Sequence, residues 1–214
     1  MSTVALSKNW SYERTMQLFG SMWFMLLALC VAVRIGSLTE PWPSLLSSFC
    51  LAIFYVLVAL MIMTRPPAKA QADGLPPRIA AFVGSYLPWM ISFFGATDQA
   101  SLNLLSTACV LIGMVMMLVT IRHLGRAFSL VPQARSVVQT GPYRRIKHPL
   151  YLSEEIVVLG VVLQHLSSVT VIVLILHIGV QVCRILYEED LLRRNCPEYS
   201  RYEASRWRLI PHVW

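Results

Sequence analysis

Six blocks of apolar residues, each close to the length needed to cross a bilayer, take up most of this 214-residue chain. They run from about Met16 to Val33, Leu45 to Met63, Ile79 to Gly95, Leu102 to Ile121, Leu150 to His165 and Val169 to Leu186. A membrane helix needs about 17–25 apolar residues, and these blocks are apolar all round rather than on one stripe. With 56% of residues hydrophobic and only 14% charged, the expected fold is all-α: a polytopic membrane bundle of about five to six transmembrane helices. The third and fifth blocks are the weakest, because Pro88 interrupts one and Glu154 and Glu155 lie near the start of the other. Either is open to being tilted or partly re-entrant.

Cytoplasmic loops hold an excess of Lys and Arg, so the basic residues predict orientation. Lys8 and Arg14 precede the first block; Arg65, Lys69 and Arg78 lie between the second and third; Arg122, Arg126, Arg135, Arg144, Arg145 and Lys147 lie between the fourth and fifth. Arg193, Arg194, Arg201, Arg206 and Arg208 close the chain, whereas the opposite loops carry Glu40, Asp98 and the short turn Gln164 to Ser168, with Arg34 at a helix end. This alternation predicts an even number of spans with both termini cytoplasmic. The net charge of +7 is then mainly topology, and nucleic acid is excluded as a partner because no soluble basic domain exists to hold it.

The N-terminal apolar block starts late and is too long for a cleavable signal, so it is expected to remain in the mature protein. Four of the five cysteines, Cys30, Cys50, Cys109 and Cys183, fall within blocks, and Cys196 stands beside Pro197. Their number and scatter make neither a disulfide framework nor a metal site. The sequence contains no Gly-x-Gly-x-x-Gly dinucleotide turn, Walker A loop, Gly-x-Ser-x-Gly elbow or His-Glu-x-x-His pair. The segment from Pro66 to Pro77 reads as a flexible connector. Two parts result: a scaffold, residues 1–121, and a region that carries the chemistry, residues 122–214.

Within that second region the segment from Arg122 to His148 is polar, and Gly141-Pro142-Tyr143 reads as a turn. A residue before proline is pushed out of the helical region, so His148 is expected at the N-cap and Pro149 at the first helical position. His148, Tyr151 or Leu152, and Glu155 then share a helix face. The last block carries His177, Gln181, Arg184 and Glu188 at steps of four, three and four, one continuous polar stripe on a Val/Ile/Leu surface. Such a stripe does not face lipid. It either bonds neighbouring helices or lines a groove, and the terminal cluster of Arg184, Glu188 and Glu189 favours the groove, with His177 and Gln181 shaping it for a substrate. The tail is expected to be an interfacial helix after Pro197, with Tyr199, Tyr202 and Arg206 on one side.

In order, Gly141-Pro142-Tyr143, Arg145-x-x-His148-Pro149-x-Tyr151, Arg184-x-x-x-Glu188-Glu189-x-x-Leu192, Tyr199-x-x-Tyr202 and Ile210-Pro211 resemble the isoprenylcysteine carboxyl methyltransferase and phospholipid methyltransferase group of integral membrane enzymes. The resemblance covers roughly Arg122 to Pro211 and implies S-adenosylmethionine as cofactor. It implies a lipophilic or lipid-anchored acceptor, of the isoprenylcysteine carboxylate kind, entering from membrane lipids at the cytoplasmic face. Position by position it implies His148, Pro149 and Tyr151 as the first donor-binding stretch, Glu188 and Glu189 as an acidic pair, Tyr199 and Tyr202 as the closing tail, and Arg184 beside the reacting groups. The chain departs from that pattern at Ser153-Glu154-Glu155, where the family often has Gly, and at Asn195-Cys196-Pro197, where it often has Phe-Gly.

Methyl transfer from a sulfonium needs no metal and no covalent intermediate, so positioning and exclusion of water supply most of the acceleration. Arg184 can hold a carboxylate acceptor through two parallel hydrogen bonds. A thiol or amine must instead lose a proton, for which His148 and Glu155 are the candidates. Two rivals stand beside this reading. Membrane sterol reductases, which use a nicotinamide, share a similar His-Pro-x-Tyr region, and a small transporter would place ionisable groups along an ion path.

Overall fold

The computed structural model describes residues 3–37, 42–64, 70–72, 74–95, 97–128, 133–134 and 137–214. Of the positions used above for orientation, Glu40, Arg65, Lys69 and Arg135 lie outside the described residues, as do Pro66 and Pro132. Seven α-helices are found among the described residues: α1 Thr3–Ser37, α2 Trp42–Thr64, α3 Pro76–Tyr86, α4 Ala100–Leu124, α5 Pro149–Gln164, α6 Ser168–Asn195 and α7 Tyr199–Glu203. Among the described residues the fold is helical apart from a two-residue antiparallel ladder, Ala70–Gln71 against Gln133–Ala134, and an isolated parallel bridge between Ile146 and Trp207.

By length and composition α4 and α6 can cross a membrane, while Gln17–Val33 and Phe49–Thr64 are shorter apolar stretches. The third block is not one helix. α3 ends at Tyr86 and the chain tightens into a 3-10 turn over Leu87–Phe93, because Pro88 has no N–H to donate and its ring clashes with the preceding turn. The broken element packs on α6 and reaches the end of α5. At its far end, the Thr97 N–H donates to Gln164 O at 2.8 Å and the His165 ring meets Phe94 O at 2.7 Å. The last helix also outruns its apolar block, continuing past Leu186 to Asn195.

Helix α5 starts where the His-Pro step predicts, with His148 at the N-cap in a non-helical conformation and Pro149 first. Ser167 and Thr170 form a reciprocal capping box at the start of α6: Thr170 N–H donates to Ser167 Oγ at 3.2 Å, and Ser167 N–H to Thr170 Oγ1 at 2.9 Å. This cap lets the chain reverse within a few residues.

Small residues set how closely the helices approach. A Cβ on Gly113 of α4 would lie 2.6 Å from Val157 Cγ2 and 2.9 Å from Ser153 O, and one on Gly160 of α5 would lie 2.8 Å from Val110 Cγ2 and 2.9 Å from Ser106 O. The two helices therefore pack backbone to backbone at two points, the small-residue contact typical of membrane bundles. Gly160→Ala should destabilise the purified protein by about 1–3 kcal/mol, the usual cost of overpacking. A melting temperature in detergent unchanged from wild type would show that the contact yields freely.

Candidate functional site

The polar turn before α5, α5 itself and the second half of α6 converge on one cavity of about 710 Å³. Its polar end is formed by Tyr143, Lys147, His148, Tyr151, Arg184 and Glu188. The rest of the wall is mainly apolar, with Trp23 and Phe24 of α1, Phe54 of α2, Phe82 of α3 and Met117 of α4, and it also carries Arg78, Ser85 and Glu154.

At the polar end the Tyr151 hydroxyl donates to Glu188 Oε2 at 2.9 Å. No hydrogen bond reaches Glu188 Oε1 among the described residues, so half of this carboxylate remains to receive a ligand's donors. The Tyr151 ring stacks near His148, centroids 5.6 Å apart, and carries the Arg184 guanidinium 4.9 Å over its other partner surface. Burial, and next the charge of Glu188, push the Tyr143 phenol well above its ordinary range. It stays protonated at neutral pH and can act as a donor.

Glu189, one residue on, does something different. Its carboxylate is fully buried and is shared among Lys147 Nζ at 2.7 Å, His148 Nε2 at 3.3 Å, Arg193 Nη2 at 2.9 Å and Arg208 Nε at 3.1 Å. It does not line the cavity. Two backbone bonds run beside it, Lys147 N–H to Trp207 O at 2.7 Å and His148 N–H to Arg208 O at 3.0 Å. Glu189 thus ties the tail to the turn that presents His148.

The tail tyrosines also lie behind the site. Tyr199 and Tyr202 pack with Ala72, Leu191 and Cys196 in a small core, and the Tyr202 hydroxyl donates to Tyr143 O at 2.8 Å. Burial pushes Tyr202 up to about 12 and, with Glu189 next in effect, raises Tyr199 further. Helix α7 stops at Glu203, so Arg206 does not share its face with the tyrosines as the sequence suggested. Pro149, at the start of α5, is buried and shapes the helix entry rather than the cavity wall.

The polar stripe of α6 divides. Arg184 and Glu188 reach the cavity, but His177 and Gln181, expected to shape a groove, lie in helix interfaces. His177 Nε2 donates to Gly84 O of α3 at 3.0 Å, and its Nδ1 pairs with Glu155 Oε1 of α5 at 3.0 Å. Gly84 permits this approach, since a Cβ there would lie 2.8 Å from Arg184 Cδ. Glu155, expected beside His148, is thereby turned away from the cavity. Its neighbour Glu154 faces the cavity instead: successive helical residues differ by about 100°, and His177 of α6 holds Glu155. Sequence reasoning also missed Lys147, Tyr143 and the aromatic wall from α1 and α2. The family departure at Ser153-Glu154-Glu155 was the one signal pointing to Glu154.

With this geometry in hand, comparison with family models matches residues 102–198 to the phospholipid methyltransferase (PEMT) family. Residues 102–198 are thus similar to that family. That family is one of membrane methyltransferases of the isoprenylcysteine carboxyl methyltransferase type. Comparison with curated proteins found no significant match. The phospholipid methyltransferase segment begins inside α4 and ends just before Tyr199, and it contains every residue of the cavity's polar end.

Proposed function

We propose that this chain is a multi-pass membrane enzyme that transfers a methyl group from S-adenosylmethionine to a lipophilic acceptor at the cytoplasmic end of its helix bundle. The observation that carries the reading is a cavity with two chemistries, one end lined by Glu188, Tyr151, His148, Lys147 and Arg184 and the rest mainly by aromatic and aliphatic side chains with Arg78, Ser85 and Glu154 among them, its polar end lying within the segment similar to a methyltransferase family. The α1–α4 scaffold supplies most of the apolar chamber, and the segment after it supplies the polar end.

The residues at that end fit the donor. Glu188 has an oxygen free to accept from hydroxyl or ammonium groups, and the faces of Tyr151 and Tyr143 favour a cationic centre by about 0.5–2 kcal/mol. S-Adenosylmethionine, when bound, supplies an electrophilic methyl on a sulfonium. The protein's own part is to orient, to hold water out with its apolar wall, and to keep Tyr143 and Tyr151 protonated as donors. Lys147 is paired with Glu189, which lowers its repulsion of a sulfonium. An isoprenyl-like or other long hydrocarbon chain suits the chamber walled by Trp23, Phe24, Phe54 and Met117. The basic loops and tail support cytoplasmic termini.

Calorimetric titration of the detergent-purified protein separates this reading from the nicotinamide-dependent alternative. S-Adenosylmethionine should give saturable binding, weakened at least tenfold by His148→Ala, and NADPH should give none. Saturable NADPH binding without any response to S-adenosylmethionine would reject the methyltransferase assignment.

A further inference from the structure

Three polar side chains close into a ring on the cavity wall where α5 meets α6. Gln181 Nε2 donates to Glu154 Oε2 at 2.9 Å, and Arg184 Nη1 donates to Gln181 Oε1 at 2.7 Å while lying 3.5 Å from that same Glu154 oxygen. The Arg184 side chain is only 5% exposed, whereas Glu154 is 25% exposed. Both line the cavity. Among the described residues no hydrogen bond reaches Glu154 Oε1, so the ring presents a carboxylate oxygen to the cavity and withdraws its guanidinium.

An acceptor bearing a carboxylate would need the Arg184 fork. Its Nη1 is already engaged by Gln181 and Glu154 while its buried Nε has no hydrogen-bond partner among the described residues, and Glu154 adds like-charge repulsion in front of it. A nitrogen or sulfur nucleophile meets the opposite situation, since it arrives with a proton that it must lose and a carboxylate is there to take it. We propose that Glu154 is the specificity-determining residue at the acceptor end, turning away acids and taking the proton of a long-chain amine or thiol. The proposal rests on the methyltransferase reading above. In the step it serves, the acceptor's lone pair forms the new bond to the methyl carbon and the carbon–sulfur bond of the sulfonium breaks. The electron pair stays on the donor's sulfur, and the acceptor's proton passes to Glu154 Oε1 and on to water.

The test uses three acceptors of equal chain length, dodecylamine, dodecanethiol and dodecanoate, with methyl-labelled S-adenosylmethionine and the full-length protein in lipid nanodiscs. Donor affinity is measured on the same preparation by calorimetry. Wild type should label the amine or the thiol and leave dodecanoate at background. Glu154→Gln should cut that labelling at least tenfold with donor affinity within twofold of wild type, and Glu154→Asp, which keeps the charge, should retain the preference. Methylation of dodecanoate by wild type, amine and thiol turnover within twofold of normal in Glu154→Gln, or label on none of the three with donor bound would each overturn the role of Glu154. Loss of donor binding in wild type would overturn the methyltransferase reading instead.

Discussion

Glu188→Gln should weaken S-adenosylmethionine binding by about tenfold to a hundredfold, because a charge-assisted hydrogen bond contributes roughly 1.5–3 kcal/mol. The substitution is a clean one. Glutamine keeps the acceptor that the Tyr151 hydroxyl uses at 2.9 Å, so the α5–α6 contact and the cavity wall stay in place and only the negative charge is lost. The measurement is calorimetric titration in detergent, with thermal melting as a control for folding. A donor affinity equal to wild type in a normally folded variant would remove Glu188 from the donor site and, with it, the assignment of the polar end.

Glu189→Ala should have the larger effect on stability. Its fully buried carboxylate is the common partner of Lys147, His148, Arg193 and Arg208. Arg193 keeps Glu203 and Arg208 reaches solvent, but Lys147 and His148 are left buried without their carboxylate, and stranding a buried charge in this way costs about 3–5 kcal/mol. At about 2–4 °C per kcal/mol for a chain of this size, the melting temperature should fall by roughly 10 °C. The tail should loosen with it, since Arg208 is held by Glu189 and the neighbouring backbone bonds from Lys147 and His148 join the same strap. Limited proteolysis should therefore cut first near Arg206 in the variant. A melting temperature within a degree of wild type would mean that water already shares the load on these cations.

The adjacent pair Glu188 and Glu189 shows how far a motif can be read. As neighbours in a resemblance they carry one implied role, donor binding. One helical step separates them by about 100°, and the tertiary structure gives the first a cavity and the second four cations. Glu154 and Glu155 divide in the same way, one beside Gln181 and Arg184 and the other against His177. The spacing of His177, Gln181, Arg184 and Glu188 marks a face whose first three residues are buried among the helices. It does not say what that face meets, and α3 and α5 cover its upper half before the cavity begins.

Other features were legible because their causes are local. The start of α5 at Pro149 follows from the restriction that proline places on His148, the break of the third block follows from Pro88, and the reversal before α6 follows from the Ser167–Thr170 cap. The helical class follows from blocks of apolar residues long enough that each backbone group must be satisfied within its own segment. The aromatic chamber was not legible. Trp23 and Phe24 belong to a stretch apolar on all sides, and no periodicity distinguishes the residues that face the cavity from those that face outward, such as Leu26 and Leu29.

By itself, then, the chain determined its helical class, the start of α5 at Pro149 and the family resemblance of residues 102–198, since each depends on side chains within a few positions of one another or on an ordered motif. Only the tertiary structure decided which acid opens onto the cavity, which one is consumed by cations, and which helices wall the apolar chamber. Those outcomes depend on the rotation of each helix against its neighbours, set by close contacts such as Gly113 with Val157 and Gly84 with Arg184, between residues far apart in sequence.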